Sequence, residues 1–246
     1  MNSSLHIYPN AQILVQKLTD VLKELIGRTN KNKKGIFIAL SGGNTPRLWF
    51  DNLTAEKDRI EWSRLHVFWG DERCVPPDHP DSNYGLTKKY LLDNINIPAQ
   101  NIYRIRGEDN PEMETIRYSD EIAAALDRSG TGWPVFDWII LGLGTDGHVA
   151  SLFPGSRNLQ RSDSICVTAE HPQTGQKRIS LSLPVINQAR RISFLVSGAA
   201  KAGIVAKIHG RGSESGHLPA AMVNPEQGMI EWFLDTAAAS QIEKNI

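Results

Sequence analysis

The sequence predicts an α/β protein built on a parallel sheet with helices on both faces, and three observations carry that prediction. Short runs that are apolar throughout recur along the chain, amphipathic helical patterns separate them, and several of the runs end in glycine and polar residues. Strands buried on both sides read as unbroken hydrophobic runs, and their crossover helices cover the two faces. Ligands of such sheets bind outside the carboxyl ends of the strands, so the polar run ends are where function is expected.

The elements follow in order. Leu14, Leu18, Val21, Leu22 and Leu25 lie three and four residues apart, one face of an amphipathic helix ending near Gly27. A basic linker from Lys31 to Lys34 leads into an apolar strand at 36–40. Residues 65–69 read as a second strand, 115–126 as a helix, and 135–141 as a third strand. Residues 178–183 alternate strictly, 192–196 form another apolar strand, 199 to about 209 a helix, and 229–234 a last strand-like run. The Pro-rich stretch 75–84 is the candidate for an ordered functional loop. No internal repeat or low-complexity linker interrupts the pattern.

Composition narrows the function classes. At 246 residues and 40% hydrophobic content the chain can bury a full core, as one large domain or two small ones. Lys plus Arg and Asp plus Glu each total 27, so no global field favours nucleic acid or an anionic membrane. Any bound anion must be held by a local site. No apolar run approaches the roughly 20 residues needed to span a bilayer. The two cysteines, Cys74 and Cys166, lie far apart, and the first ten residues contain no apolar core of a signal peptide. A cytoplasmic setting is the expectation.

Polar chemistry follows several of the strands. After Leu40 come Ser41-Gly42-Gly43-Asn44-Thr45-Pro46, where Thr45 is suited to cap a helix and Pro46 to its first position. The glycines either leave backbone N–H groups free to face an anion at the helix N-terminus or serve turn geometry alone. The Gly-Lys-Ser/Thr ending of a P-loop is absent. After Trp69, Gly70-Asp71-Glu72-Arg73 is either a solvated turn with internal ion pairs or a guanidinium offered to a phosphate or carboxylate. Lys201, in Ser197-Gly198-Ala199-Ala200-Lys201, falls in the first turn of a helix against the dipole, which points to an anion there unless the side chain snorkels. Arg178 is either a second cation beside that anion or a strand-edge charge.

Gly142-Leu143-Gly144-Thr145-Asp146-Gly147-His148 closes the third strand with an aspartate and a histidine on a glycine-rich turn. His148 is either a structural hydrogen-bonder or a general base with a carboxylate nearby to set its tautomer. His66, His79, His148 and His171 lack zinc-ligand spacing, so no metal is expected. The Gly-x-Gly pattern does not extend to a dinucleotide fingerprint, because no strand–helix unit with a ribose-binding acid follows His148.

Four segments together resemble the 6-phosphogluconolactonase family. They are residues 41–46; residues 69–73 with Asp81-Ser82-Asn83-Tyr84-Gly85; residues 142–154; and Arg178 through Pro184 leading to Gly198-Ala199-Ala200-Lys201-Ala202. The likeness extends to Leu218-Pro219-Ala220-Ala221 and the closing stretch 232–239, nearly the whole chain. Each motif alone is weak, but their order and spacing are specific. The resemblance implies a single doubly wound α/β domain with a mostly parallel sheet, hydrolysing 6-phospho-D-glucono-1,5-lactone to 6-phosphogluconate without a cofactor. It implies that Ser41, Gly42, Gly43, Asn44, Thr45, Arg73, Arg178 and Lys201 face the phosphate and that His148 is the base. Either Asp146 or Asp71 orients His148 or binds sugar hydroxyls, and Arg73 serves the phosphate or the oxyanion. The expected partner is a small-molecule sugar phosphate lactone, with no nucleic acid, no membrane and a monomer favoured.

Two rivals are weighed. A glucosamine-6-phosphate deaminase shares the Asp-Gly-His turn but resembles a pattern with an acidic residue soon after it, whereas Ala150-Ser151-Leu152-Phe153-Pro154 carries none. A non-catalytic sugar-phosphate sensor of the transcription-regulator kind needs a DNA-reading module, and the first core helix begins near residue 11 with no room for one. Cys74 is expected to be a free, partly buried thiol.

Overall fold

The computed structural model describes residues 3–30, 33–210 and 216–242; Lys31 of the predicted linker lies outside the described residues. The elements run β1 (Ser3–Tyr8), α1 (Ala11–Arg28), β2 (Ile36–Leu40), α2 (Asn44–Ala55), β3 (Leu65–Trp69), β4 (Asp71–Arg73), α3 (Asn83–Tyr90), β5 (Ile102–Tyr103) and α4 (Pro111–Ala125). They continue with β6 (Trp138–Leu141), β7 (Cys166–Glu170), β8 (Lys177–Leu181), α5 (Leu183–Ile186), β9 (Arg191–Val196), α6 (Ala202–His209), α7 (Pro219–Met222) and β10 (Met229–Asp235).

Seven strands form one parallel sheet in the order β1-β10-β9-β6-β2-β3-β5. From β2 the chain winds outward through β3 to β5, then returns to β6 on the other side of β2 and continues to β9 and β10. The sheet is therefore doubly wound, as the sequence predicts, with its switch point between β2 and β6. Both strands are buried at every position, which is why they read as unbroken apolar runs. Register shows that both faces are covered. Ile38 pairs with Val67 and Trp138, and Ala39 with Phe68 and Ile139, so Trp138 and Phe68 point to opposite faces. Trp49 of α2 meets Trp138 edge-on at 5.7 Å, and Tyr118 of α4 lies 6.3 Å from Phe68. The Tyr118 hydroxyl also accepts from the Trp69 N–H at 2.9 Å and donates to the Trp69 carbonyl at 3.0 Å, tying α4 to the carboxyl end of β3.

Several boundaries differ from the sequence reading. Thr45 does not cap α2. The cap is Gly43, whose φ of 108° lies in the left-handed region, so the helix begins at Asn44 and Pro46 is its third residue. The predicted helix at 115–126 starts earlier, at Pro111, because Asn110 accepts from the Glu112 and Met113 N–H groups, both at 3.1 Å. The alternating run is β8, which ends at Leu181; it pairs antiparallel with β4 and β7 in a separate three-stranded sheet. Lys201 ends a 3₁₀ turn at the cap position of α6 instead of lying within the first turn of one longer helix. The stretch 75–84 runs into α3, with the Ser82 hydroxyl accepting from the Gly85 N–H at 2.9 Å.

Candidate active site

The chain leaves β2 at Ser41 and β6 at Gly142, on either side of the switch point, and the Ser41 hydroxyl donates across it to the Ile140 carbonyl at 2.8 Å. Outside these strand ends lies a cleft of about 310 Å³ lined by residues of six segments, among them Ser41, Gly42, Gly43, Asp71, Arg73, Asn83, Gly144, His148, Arg178 and Lys201. A larger hollow of about 810 Å³ flanks α3, where Lys88 pairs with Asp93 and Arg104 with Glu108, and none of the residues lining it belongs to β2, β6 or the loops that leave them. The chemistry is concentrated in the smaller cleft.

The turn after β6 brings His148 and Asp146 together. His148 Nδ1 lies 2.6 Å from Asp146 Oδ1, and the same oxygen accepts from the His148 backbone N–H at 3.1 Å. A separation that short requires a proton between ring and carboxylate, which assigns Nδ1 as donor and leaves Nε2 as the basic nitrogen. Partial burial raises the Asp146 carboxyl, but the backbone bond and the charge of His148 outweigh it and hold the group below the usual carboxylate range. Gly144 makes the pairing possible, since a Cβ there would overlap the His148 ring and the Asp146 carboxylate. Asp71 takes no part in it. Its Oδ2 accepts from the Ser151 hydroxyl at 2.6 Å and its Oδ1 from Asn83 Nδ2 at 3.3 Å.

Arg73 and Arg178 are cross-strand partners on β4 and β8, and the Arg178 guanidinium lies over the Phe153 ring at 5.7 Å, the same ring that meets His148 at 4.9 Å. Arg73 Nη1 donates to the Asp81 carbonyl at 2.6 Å, and Arg178 Nη2 to Gln176 Oε1 at 3.2 Å. Among the described residues both Nε atoms are buried without a partner. Burial, and then the neighbouring Arg73, push the Arg178 pKa down. Two adjacent guanidinium groups lining one cleft have the chemistry to bind an anion through charge-assisted hydrogen bonds. Lys201 lies against the loop after β6, its Nζ donating to the Leu143 carbonyl at 2.6 Å, and burial lowers its pKa as well.

Of the residues predicted to face a phosphate, Ser41, Gly42, Gly43, Arg73, Arg178 and Lys201 line the cleft, whereas Asn44 and Thr45 do not. Thr45 is engaged with the Ser197 hydroxyl at 2.8 Å. Gly42 packs so close to the Asn83 side chain that a Cβ would collide with it. The sequence reading gave no role to Glu72, Asn83 or Ser151. Glu72, buried, accepts from the N–H groups of Arg73, Asn83 and Tyr84 at 2.7–2.8 Å and from the Ser82 hydroxyl at 3.0 Å. Burial raises its pKa against these bonds. Strand periodicity was the available signal: alternation along β4 sends Asp71 and Arg73 to the cleft and Glu72 the other way, under the N-terminus of α3. Among the described residues no three His, Cys, Asp or Glu side chains converge as metal ligands.

Residues 9–232 match the model of the family described as glucosamine-6-phosphate isomerases/6-phosphogluconolactonase. The chain is 44% identical over 233 residues to a 6-phosphogluconolactonase of Haemophilus influenzae, covering 94% of this chain and 96% of that one. A solved structure titled devB protein superposes with a TM-score of 0.90 at 42% identity, covering 98% and 100% of the two chains. The 6-phosphogluconolactonase of Trypanosoma brucei superposes with a TM-score of 0.85 at 26% identity, covering 98% and 99%.

Proposed function

The chain belongs to the glucosamine-6-phosphate isomerase/6-phosphogluconolactonase family, and from that premise we propose that it is a 6-phosphogluconolactonase in which His148 activates water and the arginine pair holds the phosphate. One observation supports this reading above the others. A histidine with its Nδ1 on a carboxylate at 2.6 Å lines the same cleft as two guanidinium groups that are cross-strand partners.

The chemistry follows from these positions. His148 Nε2 takes a proton from water, the oxygen bonds to the lactone C1, and the C1–O π electrons move onto the carbonyl oxygen. Collapse of the tetrahedral oxyanion breaks the bond between C1 and the ring oxygen, which leaves with the proton held by His148. Asp146 stabilises the imidazolium between the two steps and fixes the ring tautomer. Backbone N–H groups of the Gly42–Gly43 turn and the cations lining the cleft supply donors for oxyanion and phosphate. A lactone carbonyl is already electrophilic, so no cofactor is invoked.

The deaminase reading lacks an acid where it needs one, because Val149, Ala150, Ser151, Leu152 and Phe153 are all buried non-ionisable residues. Free thiols at Cys74 and Cys166 fit a reducing cytoplasm, and we take the enzyme to act there as a monomer on a small molecule. The test is hydrolysis of freshly made 6-phosphogluconolactone with spontaneous hydrolysis subtracted. His148→Ala is expected to fold and bind 6-phosphogluconate yet lose about 10²- to 10⁴-fold in kcat, the range for a positioned acid–base group. Turnover near wild type in the folded variant would reject His148 as the base.

A further inference from the structure

Ser151 is fully buried beside the arginine pair, on the loop that leaves the His148 turn, and the proposed reaction does not use it. Its hydroxyl donates to Asp71 Oδ2 at 2.6 Å and accepts a long contact from Arg178 Nη1 at 3.5 Å. The backbone is bent to bring it there. Ala150, next to it, has a φ of 48°, the one positive value among the described non-glycine residues, and the Ser151 N–H is held by the Ser180 hydroxyl at 3.1 Å. Non-glycine residues enter this region at a cost and persist there where the surroundings fix them.

Asp71 and Arg178 are both buried and of opposite charge, yet their nearest atoms are 4.0 Å apart. A buried guanidinium facing a carboxylate ordinarily closes into a short, often bidentate pair of about 2.7–2.9 Å. Here the carboxylate is drawn off. Oδ2 is turned onto Ser151, and Asn83 Nδ2 binds both the Asp71 carbonyl at 2.9 Å and Oδ1 at 3.3 Å. The guanidinium lines the cleft without a carboxylate closed on it, its Nη2 on Gln176 Oε1 at 3.2 Å and its Nη1 on the 3.5 Å contact to Ser151.

We infer that Ser151 is a positioning residue that holds Asp71 off Arg178, so that the guanidinium stays available to the substrate's phosphate. The inference rests on the proposed phosphate role of Arg178 and adds the device that keeps that cation uncompensated. Without the hydroxyl, Asp71 Oδ2 loses its hydrogen bond, and the oppositely charged Arg178 Nη1 stands 4.0 Å away. The two close on each other and the anion receptor loses much of its charge. Asn in place of Asp71 carries no charge to close with.

The experiment is titration calorimetry with 6-phosphogluconate on wild type, S151A and the double variant S151A/D71N, each checked for folding by circular dichroism. S151A is expected to weaken binding about tenfold, and D71N in that background to recover most of the loss. The same pattern is expected in KM, with the preference for phosphorylated over unphosphorylated lactone reduced about tenfold in S151A alone. Equal affinity in wild type and S151A overturns the inference, and so does a loss that D71N fails to recover, which marks Ser151 as a packing residue. Binding needs no turnover, so a tenfold, D71N-reversible loss supports the role of Ser151 even if His148 is not the base, and equal affinities reject it even if lactonase activity is found.

Discussion

Gly144→Ala tests the catalytic geometry without touching a charged group. An added Cβ would lie under 3.0 Å from both Nδ1 and Cε1 of His148 and 2.5 Å from Asp146 Oδ1. Ordinary non-bonded carbon contacts are about 3.5–4.0 Å, so the ring, the carboxylate or both must retreat by about 1 Å. The backbone at 144 does not itself penalise alanine, because its φ is not among the positive values. Overpacking costs about 1–3 kcal/mol and loss of glycine freedom in the unfolded chain returns about 0.4–1, so the net destabilisation should stay near 1–2 kcal/mol. Catalysis is far more sensitive. A displacement of about 1 Å in a reacting group can cost about 10²-fold, so kcat on 6-phosphogluconolactone should fall by about that factor, or about 2.7 kcal/mol in barrier. KM should change little, since the substitution neither adds a charge nor removes one from the arginine pair. The assay is initial-rate hydrolysis at saturating lactone, with thermal unfolding measured in parallel. A kcat within threefold of wild type in the folded variant would refute the Asp146–His148 pairing as the working arrangement.

Arg178→Ala and Lys201→Ala should mainly raise KM, as expected for groups that bind a remote phosphate equally in ground and transition states, while Arg73→Ala should also lower kcat if that side chain reaches the oxyanion; unchanged KM in folded Arg178→Ala and Lys201→Ala would show that those cations do not meet substrate. Burial pushes the Cys74 thiol up to about 11 and the Cys166 thiol up to about 12, so neither should react with a thiol reagent at pH 8 in the native protein and both should react in denaturant. Rapid native-state labelling of Cys74 would contradict its burial.

The parallel core was legible because β2, β3, β6 and β9 are nearly or fully buried, and double burial writes itself as apolar runs. Their glycine and polar ends were legible for the same reason, since the patterns stop where the sheet stops. β1 was not. Ser3–Tyr8 is a half-exposed edge strand with weak patterning, specified by its parallel register with residues 230–235 at the far end of the chain. β7 escaped notice although its partner β8 is local, joined to it by residues 171–176, because Cys166–Glu170 mixes buried and polar positions without a clean alternation. At the site, residues named by type were found and residues named by partner were not. His148 and Asp146 are two positions apart and announce each other. Ser151 acquires its meaning from Asp71, 80 residues away, and Glu72 from a helix start that lies 11 residues on. Such roles are properties of the closed fold.

The net charge of zero makes the site's polarity a matter of local commitment. Arg73, Arg178 and Lys201 line the cleft together with Asp71, and Glu72 and Asp146 are close by. A count of formal charges gives near balance. The carboxylates, however, are occupied: Glu72 by the N-terminus of α3, Asp71 by Ser151 and Asn83, and Asp146 by His148. Each bond spends acceptor capacity on protein donors and leaves the guanidinium Nε atoms unsatisfied. A buried unsatisfied donor destabilises the free protein by about 1–3 kcal/mol, and more when it is charged. That cost is borne inside the fold, because an atom closed to solvent is closed to a ligand in the cleft as well. Composition alone describes a neutral cleft, and hydrogen bonds leave that sum unchanged; what they do is commit the carboxylates to protein donors, so that under the proposed reading the guanidinium and ammonium groups are the ones left to meet an anion.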